Sequence, residues 1–501
     1  MTTGRSVLSG GVWSAASKLL PQIYTVVISI VAARYLGPTG MGQQSFIAFA
    51  EVSVVMLCTG GLPVAVMRYV GKLTGAQRPD HVRAVLRWAW RVESVGALLG
   101  AAALLAVALT RSELRSAWLW AAFVAALSIL HNVPSAALAG IQQWRQISVV
   151  GIVTGLMSVG GVILVLGAGG GITGMFAVEA AISAGNLAWT SRLAGRALRD
   201  FPRRRLDPEI RRAVAGYGAV TSVNVLFAYV VWSRSEFFFL QRYSAAAEIA
   251  QYSIAFGAVT ALLRLSDAAA GVLTPAVATL AGAGQPDRIR AGVSRAFRLV
   301  LHLSLAGSAA GLVLGPPAIR LAYGQDYHRA GTVLLVLLAA FPLLPVCTLA
   351  GAIATGLGRI AIALIPSAVG TGANLVLDVA LIPHLGAVGA AAANTGAQLI
   401  AGVPVLLYVS RTVGNVHWKG AAVVRSALLA AGAGLAARSA VAGFSGASGL
   451  LAGSIAGLGA YIALAAVLRP LAREDAEWLA DTVRSRLGAG PARVVRRAGQ
   501  A

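Results

Sequence analysis

The sequence is short of charge and nearly without cysteine. Only 12% of its 501 residues are Asp, Glu, Lys or Arg, against about 25% in soluble globular chains. With 57% hydrophobic residues and a mean hydropathy of +0.75, the chain holds too much apolar surface for water to be its main solvent. The two cysteines, Cys58 and Cys347, lie inside separate apolar runs, which excludes a disulfide framework and a cysteine-based zinc site. There is no Gly-Lys-Ser/Thr phosphate loop, so the chain is not expected to hydrolyse ATP itself. The six histidines are scattered and no catalytic constellation stands out. An enzyme is not expected, nor is a resident metal or cofactor. Acidic residues are scarce as well, 18 against 41 basic ones, for a net charge of +23. That excess does not point to nucleic acid, because nearly all of it lies in short segments between apolar runs.

What is present is long apolar runs. A membrane-crossing helix needs roughly 20 apolar residues, so the hydrophobic content supplies about fourteen. Outward-facing strands of a β-barrel would alternate over about ten residues, and the runs here are longer. Gly and Ala dominate, with 58 glycines, as suits closely packed membrane helices. The sequence predicts spans over 8–35, 43–70, 84–110, 116–139, 147–168, 171–192, 213–240, 247–280, 296–321, 331–355, 360–383, 387–410, 420–441 and 448–468. The first begins after Arg5 but is too long and too polar, at Ser17, Lys18 and Gln22, for a cleaved signal segment.

Arginines sort by side. One set of ends carries Arg68, Lys72, Arg83, Arg87 and Arg91, then the dense run from Arg192 to Arg212, then Arg288, Arg290, Arg295 and Arg298. The other ends carry few, among them Arg34, Arg111 and Arg242. The rich side is expected to face the cytoplasm, with both termini on it.

The chain also repeats. Gly75–Ala84 and Gly282–Ala291 share six of ten positions, and Gly171-Ile172-Thr173-Gly174 resembles Gly386-Ala387-Val388-Gly389. A six-span unit is therefore duplicated in parallel orientation, an arrangement that encloses a central cavity and suits alternating access. The expected organisation is all-α and polytopic. Residues 1–193 form one lobe, 194–212 a polar linker, 213–412 the second lobe, 413–470 two further spans and 471–501 a basic tail. The tail reads as an amphipathic helix to about Leu487 lying on the anionic leaflet.

Charge within an apolar helix costs at least ~2.5 kcal/mol at the bilayer centre and normally faces the interior. Lys18 and Gln22 share a face of the first span. Glu51 lies in the second, Glu179 in the sixth, Arg234 and Glu236 in the seventh, Arg264 and Asp267 in the eighth, and Asn374 with Asp378 in the eleventh. Arg264 and Asp267, three apart, can pair on one face. They either pin packing or set a phosphate-binding cation beside a carboxyl. Lys18, Gln22, Arg234 and Arg264 are candidates for a phosphate or sugar cavity. Glu51, Glu179, Glu236, Asp267 and Asp378 are candidates for ion coupling or charge pairing. Glu93 reads as an interfacial partner of Arg87 and Arg91, and His131-Asn132 as a helix–helix hydrogen bond.

Several stretches carry a family likeness: Ala33-Arg34-Tyr35-Leu36-Gly37-Pro38 with Gly42, Gly61-Leu62-Pro63 leading to Arg68-Tyr69, Tyr252-Ser253, and Asn374-Leu375-Val376-Leu377-Asp378 running to Gly386–Ala391. In this order the chain resembles the multidrug/oligosaccharidyl-lipid/polysaccharide exporter superfamily, specifically its polysaccharide (O-antigen type) flippase branch. The resemblance implies two six-helix lobes around a cavity open alternately to each side, and an undecaprenyl-pyrophosphate-linked sugar as substrate. It also implies coupling to H+ or Na+ in several members, and polysaccharide glycosyltransferases or a polymerase as partners. That branch often has an acid in span 7, where Glu236 falls, whereas Arg234 departs from the pattern. Lipid II flippases also have fourteen spans but look richer in arginine in spans 1 and 2. Cation-coupled drug exporters have twelve spans and a carboxylate in span 1, where this chain has none. A membrane scaffold without transport is the reading from outside this class.

Overall fold

The computed structural model describes residues 4–487 apart from 77, 111–112, 203, 233–234, 360, 414–415 and 417. The side chains of 4–20, 79, 224, 227–228, 230–232, 268, 272, 275 and 482–487 also lie outside the described set. The described chain is helical throughout: α1 (Gly4–Thr59), α2 (Leu62–Gly75), α3 (Val82–Thr110), α4 (Arg115–Gly140), α5 (Trp144–Gly167), α6 (Gly171–Ala197), α7 (Pro208–Trp232), α8 (Glu236–Tyr243), α9 (Ala246–Gly282), α10 (Pro286–Tyr323), α11 (His328–Ala339), α12 (Leu344–Gly356), α13 (Ala361–Leu385), α14 (Ala387–Thr412), α15 (Gly420–Gly443), α16 (Gly446–Leu468) and α17 (Arg473–Leu487). Among the described residues ten helices are long and apolar enough to cross a membrane, or eleven if the bent pair α11–α12 is one span. Fourteen spans were expected from the sequence. The other three are the second half of α1, joined to the first across a kink at Gly37, the polar α6 with Glu179 and Asn186, and the interrupted pair α7–α8. The protein is a multi-pass membrane protein.

Two units emerge from the packing, 1–250 and 251–501. The boundary falls near the start of α9, whereas the sequence suggests a linker at 194–212. The cause is α7, which packs on α2. In unit 1, α4 is the central helix, touching α1, α2, α3 and α6. Its buried residues include a run of small ones, with Ala117, Ala121, Ala125 and Ala137 fully buried, so neighbouring backbones approach closely. In unit 2, α14 packs on α11, α12 and α13, and α15 with α16 lies against α10. His302 of α10 bonds Ser426 of α15 at 2.9 Å and Tyr461 of α16 at 2.6 Å, tying the last two helices to the bundle.

The repeat is visible in the turns. Gly171 at the start of α6 and Gly386 just before α14 have φ of +55° and +56°, a region other residues adopt only with strain. Three residues on, a Cβ at Gly174 would lie 2.5 Å from Val165, and one at Gly389 would lie 2.5 Å from the Leu381 carbonyl. Both units therefore turn a tight helical hairpin by the same device.

One face of α17 docks on the rest of unit 2. Its first turn is acidic and is held to unit 2. Asp475, 1% exposed, receives both Nε and Nη2 of Arg298 at 2.6 and 2.8 Å and Nε of Arg295 at 3.3 Å. Glu474 receives Lys419 at 2.8 Å and Arg298 at 3.1 Å. The Arg295 guanidinium lies over the Trp478 ring at 5.0 Å. The positive count of the tail had hidden these carboxylates, which are what buried arginines select.

Replacing Asp475 by Asn should free α17, because Arg298 is 8% exposed and breaking such a buried pair costs ~3–5 kcal/mol. Hydrogen exchange over 473–481 reads it. The attachment should also depend on pH. Lys419's hydrogen bond first, and then the charges of Lys419, Arg298 and Arg295, hold the Glu474 carboxyl below its usual value. A group lowered on folding stabilises the folded form above its ordinary value, about 4.3 for Glu. That contribution is lost as pH falls below it. Exchange over 473–481 should thus rise in acid and stay low at neutral pH.

Candidate functional site

Unit 1 contains a seam of polar side chains inside apolar helices. It begins on α1 and α6. Glu51 is 5% exposed, while Glu179 stands on an accessible face of α6, and the two carboxyls lie within electrostatic range of each other. On α6, Asn186 and Thr190 follow Glu179 at spacings of seven and four, so all three share one face. Thr59 lies eight residues after Glu51 on α1, again close to the same face.

The further part of the seam is a hydrogen-bonded cluster. Asn132 of α4 donates to Thr59 Oγ1 at 3.2 Å, and Thr59 donates to Glu93 Oε2 of α3 at 3.4 Å. His131 meets Thr190 at 3.2 Å, and Thr190 donates to Asn186 at 3.3 Å. The reading of His131-Asn132 as a helix–helix bond is thereby met. That of Glu93 is corrected: it is 1% exposed and bonded to Thr59, not paired with Arg87 or Arg91. Helix geometry explains the error. Arg91 is two residues from Glu93, about 200° around the helix, and Arg87 is six residues away, about 240°. Glu93 instead shares the inner face with Ala89, Gly96 and Ala97. A Cβ at Gly96 would lie 3.1 Å from the Cys58 carbonyl, so glycine lets α1 come close enough for Thr59 to reach the carboxyl.

α8 opens with Glu236, which is fully buried. Phe237 beside it stacks on Phe49 of α1 with ring centroids 5.3 Å apart, and Ser53 of α1 meets Tyr229 of α7 at 2.8 Å. Gln22 is half-buried on α1. Lys18's side chain and Arg234 lie outside the described residues.

Unit 2 has its own polar layer. Asn374 donates to Asp378 at 2.7 Å and both are fully buried; on α14, Gln398 donates to Asn394 at 2.7 Å. Arg264 and Asp267 pair at 3.2 Å as their spacing predicts, yet each side chain is 47% exposed. Both side chains are therefore half accessible. Of the nine residues singled out from the sequence, the structure brings together Glu51 with Glu179 and Arg264 with Asp267. Glu93, Thr59, Asn132, Asn394 and Gln398 were missed as site residues. Their signal was present, since each is a polar group within an apolar run.

No family model matches the sequence, and no curated protein matches it. Solved structures do. A structure of the lipid II flippase MurJ in an inward closed conformation superposes with a TM-score of 0.70 at 13% identity, covering 91% of this chain and 98% of that one. An inward-facing multidrug resistance MATE family transporter of the MOP superfamily gives 0.65 at 16% identity, covering 79% and 95%. A MOP superfamily transporter from Pyrococcus furiosus gives 0.59 at 13%, covering 81% and 96%. The chain therefore has the two-lobed fold of MOP superfamily transporters.

Thr59→Val should lower the unfolding temperature in detergent. It removes a hydroxyl that bridges Asn132 and Glu93 without changing side-chain shape, and buried interhelical hydrogen bonds are worth roughly 0.6–2 kcal/mol each in membrane proteins. Thr25→Val, on an exposed stretch of α1 where the hydroxyl bonds only the Pro21 carbonyl, should leave it unchanged.

Proposed function

We propose that the chain is a flippase. It moves a lipid-linked, undecaprenyl-pyrophosphate-type oligosaccharide across the cytoplasmic membrane by alternating access, for cell-surface polysaccharide synthesis. The observation that carries this reading is the extent of the structural likeness. The lipid II flippase matches 91% of the chain against 79% for the drug transporter, and α15 and α16 are the two helices beyond a pair of six-helix sets. Two units of like build suit rocking about a substrate site. In this reading the lobes expected from the sequence rock with α7 and α8 carried by the first, and the arginine-rich ends and both termini face the cytoplasm.

The chemistry agrees with an anionic substrate. Arg264 gives one donor to Asp267, and a guanidinium has five, so a phosphate can be held beside the pair. Lys18, Gln22 and Arg234 are the further residues proposed to meet the phosphate or sugar. Accessible charge on a membrane-crossing helix turns to water or to protein, not lipid, so the face of α6 bearing Glu179 lines a watered path. Two neighbouring carboxyls there, Glu51 and Glu179, can exchange a proton with that path. They are the proposed coupling groups, and Glu236 and Asp378 support them as buried acids.

The test is translocation of a fluorescent undecaprenyl-pyrophosphate sugar in proteoliposomes. Wild type should move it, Arg264→Ala should slow it about tenfold or more by loss of a charge-assisted contact, and Glu179→Gln should remove its dependence on a pH gradient. Failure of the wild type to move any such lipid sinks the reading. An unchanged Arg264→Ala rate removes Arg264 from the site.

A further inference from the structure

A separate feature lies at the arginine-rich ends of unit 1. There α3, α4 and α6 part around an open cavity of about 450 Å3, within the roughly 300–1,000 Å3 typical of ligand sites. Its lining is divided in character. Arg83, Arg87 and Ser191 are polar, and Trp90, Val133 and Leu198 are apolar.

Both guanidinium groups are anchored by backbone. Arg83 Nη1 donates to the Arg199 and Phe201 carbonyls, each at 3.3 Å, and Arg87 Nη2 donates to the Arg204 carbonyl at 2.8 Å. These bonds orient the side chains but leave their charge unbalanced. Among the described residues no carboxylate pairs with either. Asp80, three residues before Arg83, is taken by Arg204 at 2.7 Å. Each guanidinium still has donors beyond those used.

The internal repeat sharpens the point. In the register that matches Gly75 with Gly282, Arg83 corresponds to Arg290, Trp90 to Phe297 and Arg91 to Arg298. Unit 2 completes this place from its own chain. Arg290 donates to the Val413 carbonyl at 3.3 Å, Phe297 is fully buried and stacks on Trp418 with centroids 5.7 Å apart, and Asp475 neutralises Arg298. In unit 1 the same helix end is left open. Trp90 is half-buried, no ring stacks on it among the described residues, and no acidic segment covers Arg83 and Arg87. In unit 2 the acids are Asp287 on Arg290, at 3.5 Å, and Asp475 on Arg298, the counterpart of Arg91; in unit 1 the helix end presents Arg83 and Arg87 with no acid paired to them among the described residues.

We propose that this cavity binds an anionic glycerophospholipid of the surrounding bilayer. Its phosphate lies on Arg83 and Arg87, and the start of an acyl chain covers Trp90, Val133 and Leu198. The arginine-rich helix ends lie at the polar boundary of the bilayer, where headgroups are found and basic pockets between helices select anionic ones. The site is independent of the transported substrate proposed above.

The test uses the purified full-length protein in detergent, titrated with phosphatidylglycerol, with bound lipid counted by native mass spectrometry. Phosphatidylcholine and glycerol 3-phosphate are the comparison probes. Two variants are needed. Arg83→Gln with Arg87→Gln removes the cations. Gly195→Leu keeps them and fills the cavity, whose wall Gly195 forms; a Cβ there meets nothing within 4 Å, so the fold should tolerate it. Both variants should weaken the tightest phosphatidylglycerol about tenfold or more, and neither probe should match that lipid on the wild type. Equal binding of phosphatidylcholine overturns the anionic requirement. Saturation by glycerol 3-phosphate at the lipid's own concentration would mean a site for free phosphate and overturns the lipid. An effect of the arginine pair alone would mean surface attraction and overturns the cavity. If the double variant does not fold, Gly195→Leu decides, and undiminished binding there overturns the proposal.

Discussion

A bilayer offers no water to a bare N–H or C=O, and that constraint governs where this chain can interrupt a helix. The break between α1 and α2 shows how it is met. Gly60 takes a φ of +53°, and the Gly61 N–H left over at the break donates to Ser222 Oγ of α7 at 2.7 Å. Pro63 follows near the start of α2, where its missing N–H leaves no orphan. The two glycines are needed because α7 lies against them: a Cβ on Gly60 would come within 2.4 Å of Ser222, and one on Gly61 within 2.5 Å of Thr221. One hydroxyl on a neighbouring helix thus licenses the break, and the same closeness draws α7 into unit 1.

The constraint on backbone extends to side chains. A polar group inside an apolar helix must find a partner, and its partner must come from another helix or one turn along its own. This is why the polar residues of unit 1 gather into a seam and do not scatter. Thr59, Asn132 and Glu93 come from three helices, and their meeting fixes the mutual rotation of α1, α3 and α4. Asn374 donates to Asp378 one turn along its own helix, a bond that does not itself set the rotation of α13. A bond between helices specifies a fold, whereas a bond within one helix makes that helix tolerable in lipid.

The difference between these two kinds also explains what was legible in the sequence. Helices were legible because a membrane span is a local property of about 20 residues. All seventeen helices but α17 fall in the runs read as spans, with α1–α2, α7–α8 and α11–α12 as interrupted ones. Local pairs were legible too, as Arg264 with Asp267 illustrates. Partners across helices were not, since nothing near Glu93 in the sequence points to Thr59, and the adjacent arginines drew the reading to the wrong face. The partners of α17 were not legible either: the positive total of the tail says nothing of the two carboxylates, Glu474 and Asp475, that pair it with unit 2.

The repeat separates what duplication holds fixed from what it releases. Positions that set backbone geometry are kept in both halves: Gly171 and Gly386 at the hairpins, and Pro79-Asp80 and Pro286-Asp287 at the entry to α3 and α10. Proline with an acid suits the start of a helix wherever that helix sits, so both copies keep the pair. Side chains beyond the first turn answer to their neighbours instead. Arg91 and Arg298 are copies of one position, yet only Arg298 is buried, because only unit 2 is followed by the chain that brings Asp475. A parallel duplication thus yields two bundles alike in backbone and unlike in charge.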